Sequence, residues 1–281
     1  MSDDTASPKD THYAKLRRAH RDRKRADGGL PPAVAPRQAR PGKPSPAGRI
    51  RLYGLHSVAA AIANPKRKLH RLLVTRNALA RLELDSAAIP CPVEIVEPKL
   101  LDAELGSEAV HQGVMLEADP LIPGRLAGLS DATLVLVLDQ VTDPHNVGAV
   151  FRSAAAFAAD ALITTARHSP QESGVLAKAA SGALEHVPHL EVVNLAEALA
   201  ELSAQGFQTI GLDSEGDEPY EASLAGERIA IVLGAEGKGL RQKTRTTVDR
   251  LARLDMPGTI KSLNVSNAAA IALYAARRHL G

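Results

Sequence analysis

Residues 134–138 read Leu-Val-Leu-Val-Leu, five apolar side chains without a break. Successive side chains of a strand point to opposite faces, so this run needs apolar cover on both sides. Such a strand belongs in the middle of a parallel sheet with helices on either face. Further strands are expected at 161–164, 190–193, 209–212, 229–233 and around 251–255, with helices at 175–184 and 195–205. Strands alternating with helices in this way predict an α/β domain with a largely parallel sheet over residues 131–281.

The chain ahead of it divides further. Residues 50–119 suggest a small second α/β unit: a short strand, a Gly54 turn and a helix with Ser57 as N-cap, then strands at 69–74 and 93–96. A last strand follows the turn His111-Gln112-Gly113, and residues 120–130, with Pro123-Gly124, read as a linker or hinge. Residues 1–49 hold 12 Lys/Arg against 5 Asp/Glu, and 7 of the chain's 18 prolines. The rest of the chain holds 22 against 27, so the overall charge of +2 conceals a basic segment. That segment has too little apolar surface to offset its ordering entropy, and a disordered tail is expected. It is either an arm drawn to RNA phosphates or a solubilising extension. Lys66, Arg67, Lys68, Arg71 and Arg76 pose the same choice, between phosphate contacts and a solvated charged face. A single cysteine, Cys91, excludes an internal disulfide. With no apolar run of membrane-spanning length and no signal-peptide core, a soluble cytoplasmic protein is expected.

Two loops near the C-terminus stand out. The apolar run 229–233 leads into GAEGKGL (234–240), and LDMPGTIKSLNVSN (254–267) runs into an alanine-rich helix. Glycines after a strand let the backbone come close to a ligand or simply close a tight turn. No G-x-G-x-x-G follows the first strand, and 234–240 lacks P-loop spacing. A third run, DPHNVGAVFRSA, occupies 143–154.

In this order the three runs resemble the signature motifs of the SPOUT methyltransferases, specifically the TrmH/RlmB group that methylates ribose 2′-hydroxyls of structured RNA. The resemblance extends from about Arg49 to the C-terminus. It implies a SPOUT domain closed by a C-terminal trefoil knot, preceded by a small RNA-binding domain. It implies S-adenosyl-L-methionine as cofactor, no metal, a homodimer through the catalytic domains, and structured RNA as substrate. The RlmB type within the group acts on a guanosine of large-subunit ribosomal RNA. By the same resemblance, backbone atoms at Leu233, Gly234, Leu254, Met256 and Leu263 cradle the adenosine. Asn146, Arg152, Glu236, Ser262 and Asn264 form the catalytic set, with Asn146 positioning Arg152. Asp255 stands where a proline is usual and Asn267 where an apolar residue is usual.

Each of these residues has a blander role available. Asn146 suits an N-cap, Ser262 a cap for the last helix, and Asn264 the satisfaction of loop backbone groups. Arg152 and Glu236 could be solvated charges. Aromatic content is only 2% with no Trp, so recognition is expected to rest on phosphates, shape and the 2′-hydroxyl rather than base stacking. A tRNA ribose methyltransferase, a non-catalytic ribosome-assembly factor and another α/β nucleotide enzyme are the alternatives to rRNA methylation.

Overall fold

The computed structural model describes residues 41–85 and 88–281. Most of the basic tail, residues 1–40, lies outside them. Residues 41–49 were expected to be disordered with it, and here the structure differs. Pro41 bridges to Gly106, Lys43 Nζ reaches Glu104 at 2.7 Å, and the Lys43 carbonyl accepts a bond from Arg51. Three polar partners outweigh the poor apolar content of this stretch.

A four-stranded sheet comes first. Its elements are β1 (Ile50–Tyr53), α1 (Leu55–Ala63), β2 (Leu69–Val74), α2 (Arg76–Leu82), β3 (Val93–Ile95), α3 (Pro98–Leu105) and β4 (Val114–Ala118). The strand order is β1-β4-β2-β3, with β4 antiparallel to both its neighbours. Alternation sorts its core: Leu72, Val74, Val114 and Leu116 face α1 and α2, while Leu73 and Met115 face Leu101 of α3. Ser57 is not the cap of α1. Gly54 holds that place, and Ser57 Oγ donates across to the Ala177 carbonyl at 2.8 Å.

The larger sheet contains β5 (Leu134–Asp139), α4 (Pro144–Ala156), β6 (Ala161–Thr165), α5 (Gly174–Ala180), β7 (His189–Val192), α6 (Leu195–Ala204), β8 (Gln208–Leu212), β9 (Glu218–Pro219), α7 (Tyr220–Ser223), β10 (Ile229–Gly234), α8 (Gln242–Thr247), β11 (Arg250–Arg253) and α9 (Val265–Leu280). Its order is β7-β6-β5-β10-β8-β11-β9, parallel at every described pairing. The apolar run of β5 divides as its period demands. Leu134, Leu136 and Leu138 pack beneath α4 and α9, and Val135 and Val137 beneath α6. On α9, Ala269, Ala272 and Ala276 are fully buried, and their small size lets the helix lie close against α4 and β10. The expected helix 175–184 is broken, because Ser181 (φ 52) and Gly182 (φ 96) turn left-handed and end α5 at Ala180.

The two sheets share one continuous core. At their seam a Cβ on Gly174 would collide with the Arg51 carbonyl and the Tyr53 ring, so only glycine allows α5 this close to β1. Lys178 of α5 donates to Gln112 Oε1 at 2.6 Å, and the same oxygen accepts from the Leu55 amide at the start of α1. The 111–113 turn thus joins the two sheets as well as leading a strand. Segment 120–130 lies along this seam: the Gly124 amide donates to His189 O, and Leu126 and Leu129 are buried. Arg67 is buried beside it. Its guanidinium contacts Glu172 Oε1 at 2.7 Å, the Glu185 carboxylate and the Asp119 carbonyl.

Candidate active site

Parallel strands end their loops on one edge, and three neighbouring strands build the site at theirs. The loops after β10, β8 and β11 surround a cleft of about 230 Å³. Leu233, Gly234, Leu254, Met256 and Leu263 all line it, joined by Leu212, Val265 and Ala268. Glu236 and Ser262 line it as well.

Gly234 explains the shape of the first loop. A Cβ there would run into the backbone of Gly239, because the loop folds back and Ala235 bridges Gly239. Gly237 and Gly239 take φ of 77° and 64°, a region costly for other residues. The glycines thus answer to loop closure first. The far end of the loop is anchored by Asp139, fully buried at the end of β5. Asp139 accepts from the Arg241 amide (3.0 Å), Arg241 Nε (2.6 Å) and Thr244 Oγ1 (2.7 Å).

Three of the five polar candidates meet at one end of the cleft. Asn264 Nδ2 donates to Asn146 Oδ1 at 2.9 Å and to Glu236 Oε2 at 3.4 Å, while Asn146 Nδ2 lies 3.5 Å from the same carboxylate oxygen. Asn264 is also the N-cap of α9, its Oδ1 accepting from the Ser266 amide and hydroxyl. That role does not belong to Ser262. Nor does Asn146 cap α4: Asp143 does, with Pro144 in the first turn. Asn146 is free to turn its side chain to the cluster from that first turn. The Glu236 carboxylate thus accepts from two asparagine side chains, one from the first turn of α4 and one at the N-cap of α9.

Arg152 lies apart from this cluster. Six residues along α4 from Asn146, it stands ~9 Å further down the axis and roughly 120° around it. It is exposed, and among the described residues it makes no hydrogen bond or ion pair. Asn146 places its side-chain amide on Asn264 and Glu236, and among the described residues no hydrogen bond links it to Arg152.

The sequence reading missed the third loop, Asp213 and Ser214, together with Lys261, whose Nζ donates to the Met256 carbonyl at 2.5 Å. A signal was present: Asp-Ser-Glu-Gly directly after a strand is a polar, glycine-closed turn of the same kind.

A second cavity, about 710 Å³, lies between the 120–124 segment, α4, β7 and the start of β1. His189, on its wall, is held neutral by burial, its pKa lowered to about 4, and Thr164 Oγ1 pairs with its Nε2 at 2.8 Å.

Comparison with known proteins fits this architecture. The SpoU rRNA Methylase family profile matches residues 133–274, and a profile described as RNA 2′-O ribose methyltransferase substrate binding matches residues 51–123. The chain is 38% identical over 237 residues to the 23S rRNA (guanosine-2′-O-)-methyltransferase RlmB of Ralstonia nicotianae, covering 81% of this chain and 94% of that protein. The enzyme of the same name from Escherichia coli K12 is 34% identical over 241 residues, covering 81% and 97%. Among solved structures, the SpoU methyltransferase AviRb from Streptomyces viridochromogenes, crystallised with AdoMet, superposes with a TM-score of 0.69 at 23% identity. That match covers 83% of this chain and 91% of AviRb.

Proposed function

The chain belongs to the SpoU rRNA methylase family, and from that premise we propose that it transfers a methyl group from S-adenosyl-L-methionine to the ribose 2′-hydroxyl of a guanosine in 23S rRNA. The observation that carries this reading is the cleft shared by three strand ends, with the Asn146–Glu236–Asn264 cluster at its mouth. Its walls suit an adenosine: Leu233, Leu254, Met256 and Leu263 offer apolar surface for a flat ring, and the tight loops offer backbone groups at its edges. Bound there, the cofactor supplies an activated methyl group, so no bond-polarising metal is required.

The residues of this chain then supply orientation and charge. Glu236, held by two asparagines, orders the rim of the cleft. Asn264 holds the final loop against it, and Ser262 presents its hydroxyl to the cleft. Arg152, an exposed permanent cation on α4, binds the substrate phosphate and stabilises negative charge growing on the 2′-oxygen. The proton leaves through a phosphate oxygen or water.

Three finer features complete the proposal. Residues 50–119 bind the RNA, and residues 131–281 carry out transfer. The chain after β11 threads a trefoil knot, in keeping with the convergence of the β8, β10 and β11 loops and the return of α9 onto β10. The enzyme works in the cytoplasm as a homodimer through its catalytic half, where α9 exposes Ile271 and Tyr274 on one stripe. The test is methylation by the purified protein of 23S rRNA and of tRNA, each with labelled cofactor, followed by mapping of the ribose-methylated nucleotide. Methylation of tRNA alone, or of no RNA, would overturn the reading.

A further inference from the structure

We infer that Asp213 is the acceptor for the ribose hydroxyls of the bound cofactor, held in place by Arg245. The inference rests on the proposed methyltransferase activity. It concerns a residue that no signature run contains, in the loop the sequence reading missed.

β10, β8 and β11 are adjacent, with β8 in the middle. The β11 loop supplies Leu254 and Met256, the apolar end of the cleft, and the β10 loop supplies Glu236, the polar end. An adenosine with its base against the β11 loop and its 5′ side toward Glu236 lays its ribose over the end of β8. Asp213 is the residue at that place, and it lines the cleft.

Its chemistry fits the part of the ligand it would meet. A ribose diol presents two O–H donors, and an ionised carboxylate is an acceptor with about four lone-pair sites. Among the described residues only two are spoken for: Oδ2 accepts from Arg245 Nη1 at 2.6 Å and Oδ1 from the Glu215 amide at 3.0 Å. The side chain is 6% exposed, and its backbone amide is bonded to the Ala252 carbonyl. Arg245 is itself braced by Glu215 at 3.2 Å. The carboxylate is thus oriented before the ligand arrives, which lowers the entropic cost of binding. Gly216 permits this turn, since a Cβ there would strike the backbone of Ala252.

The experiment is calorimetric binding of S-adenosylhomocysteine and of its 2′-deoxy and 3′-deoxy analogues to wild type and to Asp213→Asn, without RNA or turnover. Wild type should bind at least one deoxy analogue about tenfold or more weakly, as loss of a hydrogen bond to a charged group implies. Asp213→Asn should weaken S-adenosylhomocysteine by a similar factor and lose little further on that deoxy analogue. Equal wild-type binding of all three ligands overturns the assignment, and that arm depends on no variant's folding. So does a variant that weakens all three by the same factor, which would place Asp213 on another part of the ligand or in the fold alone. Failure of wild type to bind S-adenosylhomocysteine at all would instead remove the methyltransferase reading, and this inference with it.

Discussion

Replacing Arg67 by Met tests the seam between the two sheets. The guanidinium has no solvent exposure and meets two carboxylates, Glu172 and Glu185, and the Asp119 carbonyl. Its contact with Glu172 Oε1 is a close approach of charges, not an aligned hydrogen bond. Removing it leaves both carboxylates buried without their cation, although Asn64 still donates to Glu185 and the Leu121 amide to Glu172. Breaking a buried pair in this way costs about 3–5 kcal/mol. Proton uptake limits the loss, and burial, only partly offset by Arg67, already raises the Glu172 pKa. A carboxyl whose folded pKa lies above its unfolded one loses stability as pH rises through the folded value. The deficit of Arg67→Met should therefore be largest near pH 8 and shrink toward pH 5. Urea unfolding at both pH values measures it. The triple variant Arg67→Met, Glu172→Gln, Glu185→Gln should recover most of the loss, because it leaves no buried charge. A deficit under about 1 kcal/mol, or one independent of pH, would mean that Arg67 does not offset the buried charge of these two carboxylates.

Arg152→Ala should slow single-turnover methylation by two orders of magnitude or more, on the order of 3 kcal/mol, while cofactor affinity stays within a few-fold. Arg152→Lys should rescue poorly for want of the planar fork, and a near wild-type rate for the alanine variant would put the chemistry elsewhere. His189 is neutral in the fold until about pH 4, whereas an unfolded histidine protonates near 6.5, so stability should fall across that window as pH drops, by ~3 kcal/mol at most. His189→Gln should flatten that segment of the stability-against-pH curve, and an unchanged slope would exclude His189 as its source. Deleting residues 1–40 removes ten of the Lys/Arg residues and leaves the docked 41–49 in place. RNA affinity should drop and its salt dependence flatten with cofactor affinity unchanged, and an identical salt slope would count the arm out.

What could be read from the sequence followed from period and composition. The unbroken run of β5 declared a buried parallel strand, because nothing else hides both faces of Leu-Val-Leu-Val-Leu. The glycine loops marked the cleft because close backbone approach leaves a residue-type signature. Side-chain partnership leaves none. Ser57, Asn146 and Ser262 each suit a helix cap, yet the caps are Gly54, Asp143 and Asn264, since a cap depends on where the chain turns. Arg67 looked like one more cation in a basic cluster, and its burial is set by Glu172 and Glu185, more than a hundred residues away. β9 and α7 are too short to carry a period, and the stretch is secured by pairing with β11 and by the burial of Tyr220, whose hydroxyl donates to the Ala272 carbonyl.

The place of β10 in the sheet bears on how the chain is made. It lies between β5 and β8, yet it is synthesised after both. On the ribosome β5 acquires β6 early, but its other edge stays open for about 90 residues of synthesis after Asp139. At ~5–20 residues per second that interval lasts roughly 5–20 s. An open apolar strand is a template for pairing with other chains, so the nascent protein is most prone to aggregate in this window. Two of the three loops of the cleft emerge only after the strand that closes the sheet, so a chain arrested before Ile229 has neither a complete sheet nor a ligand to stabilise it.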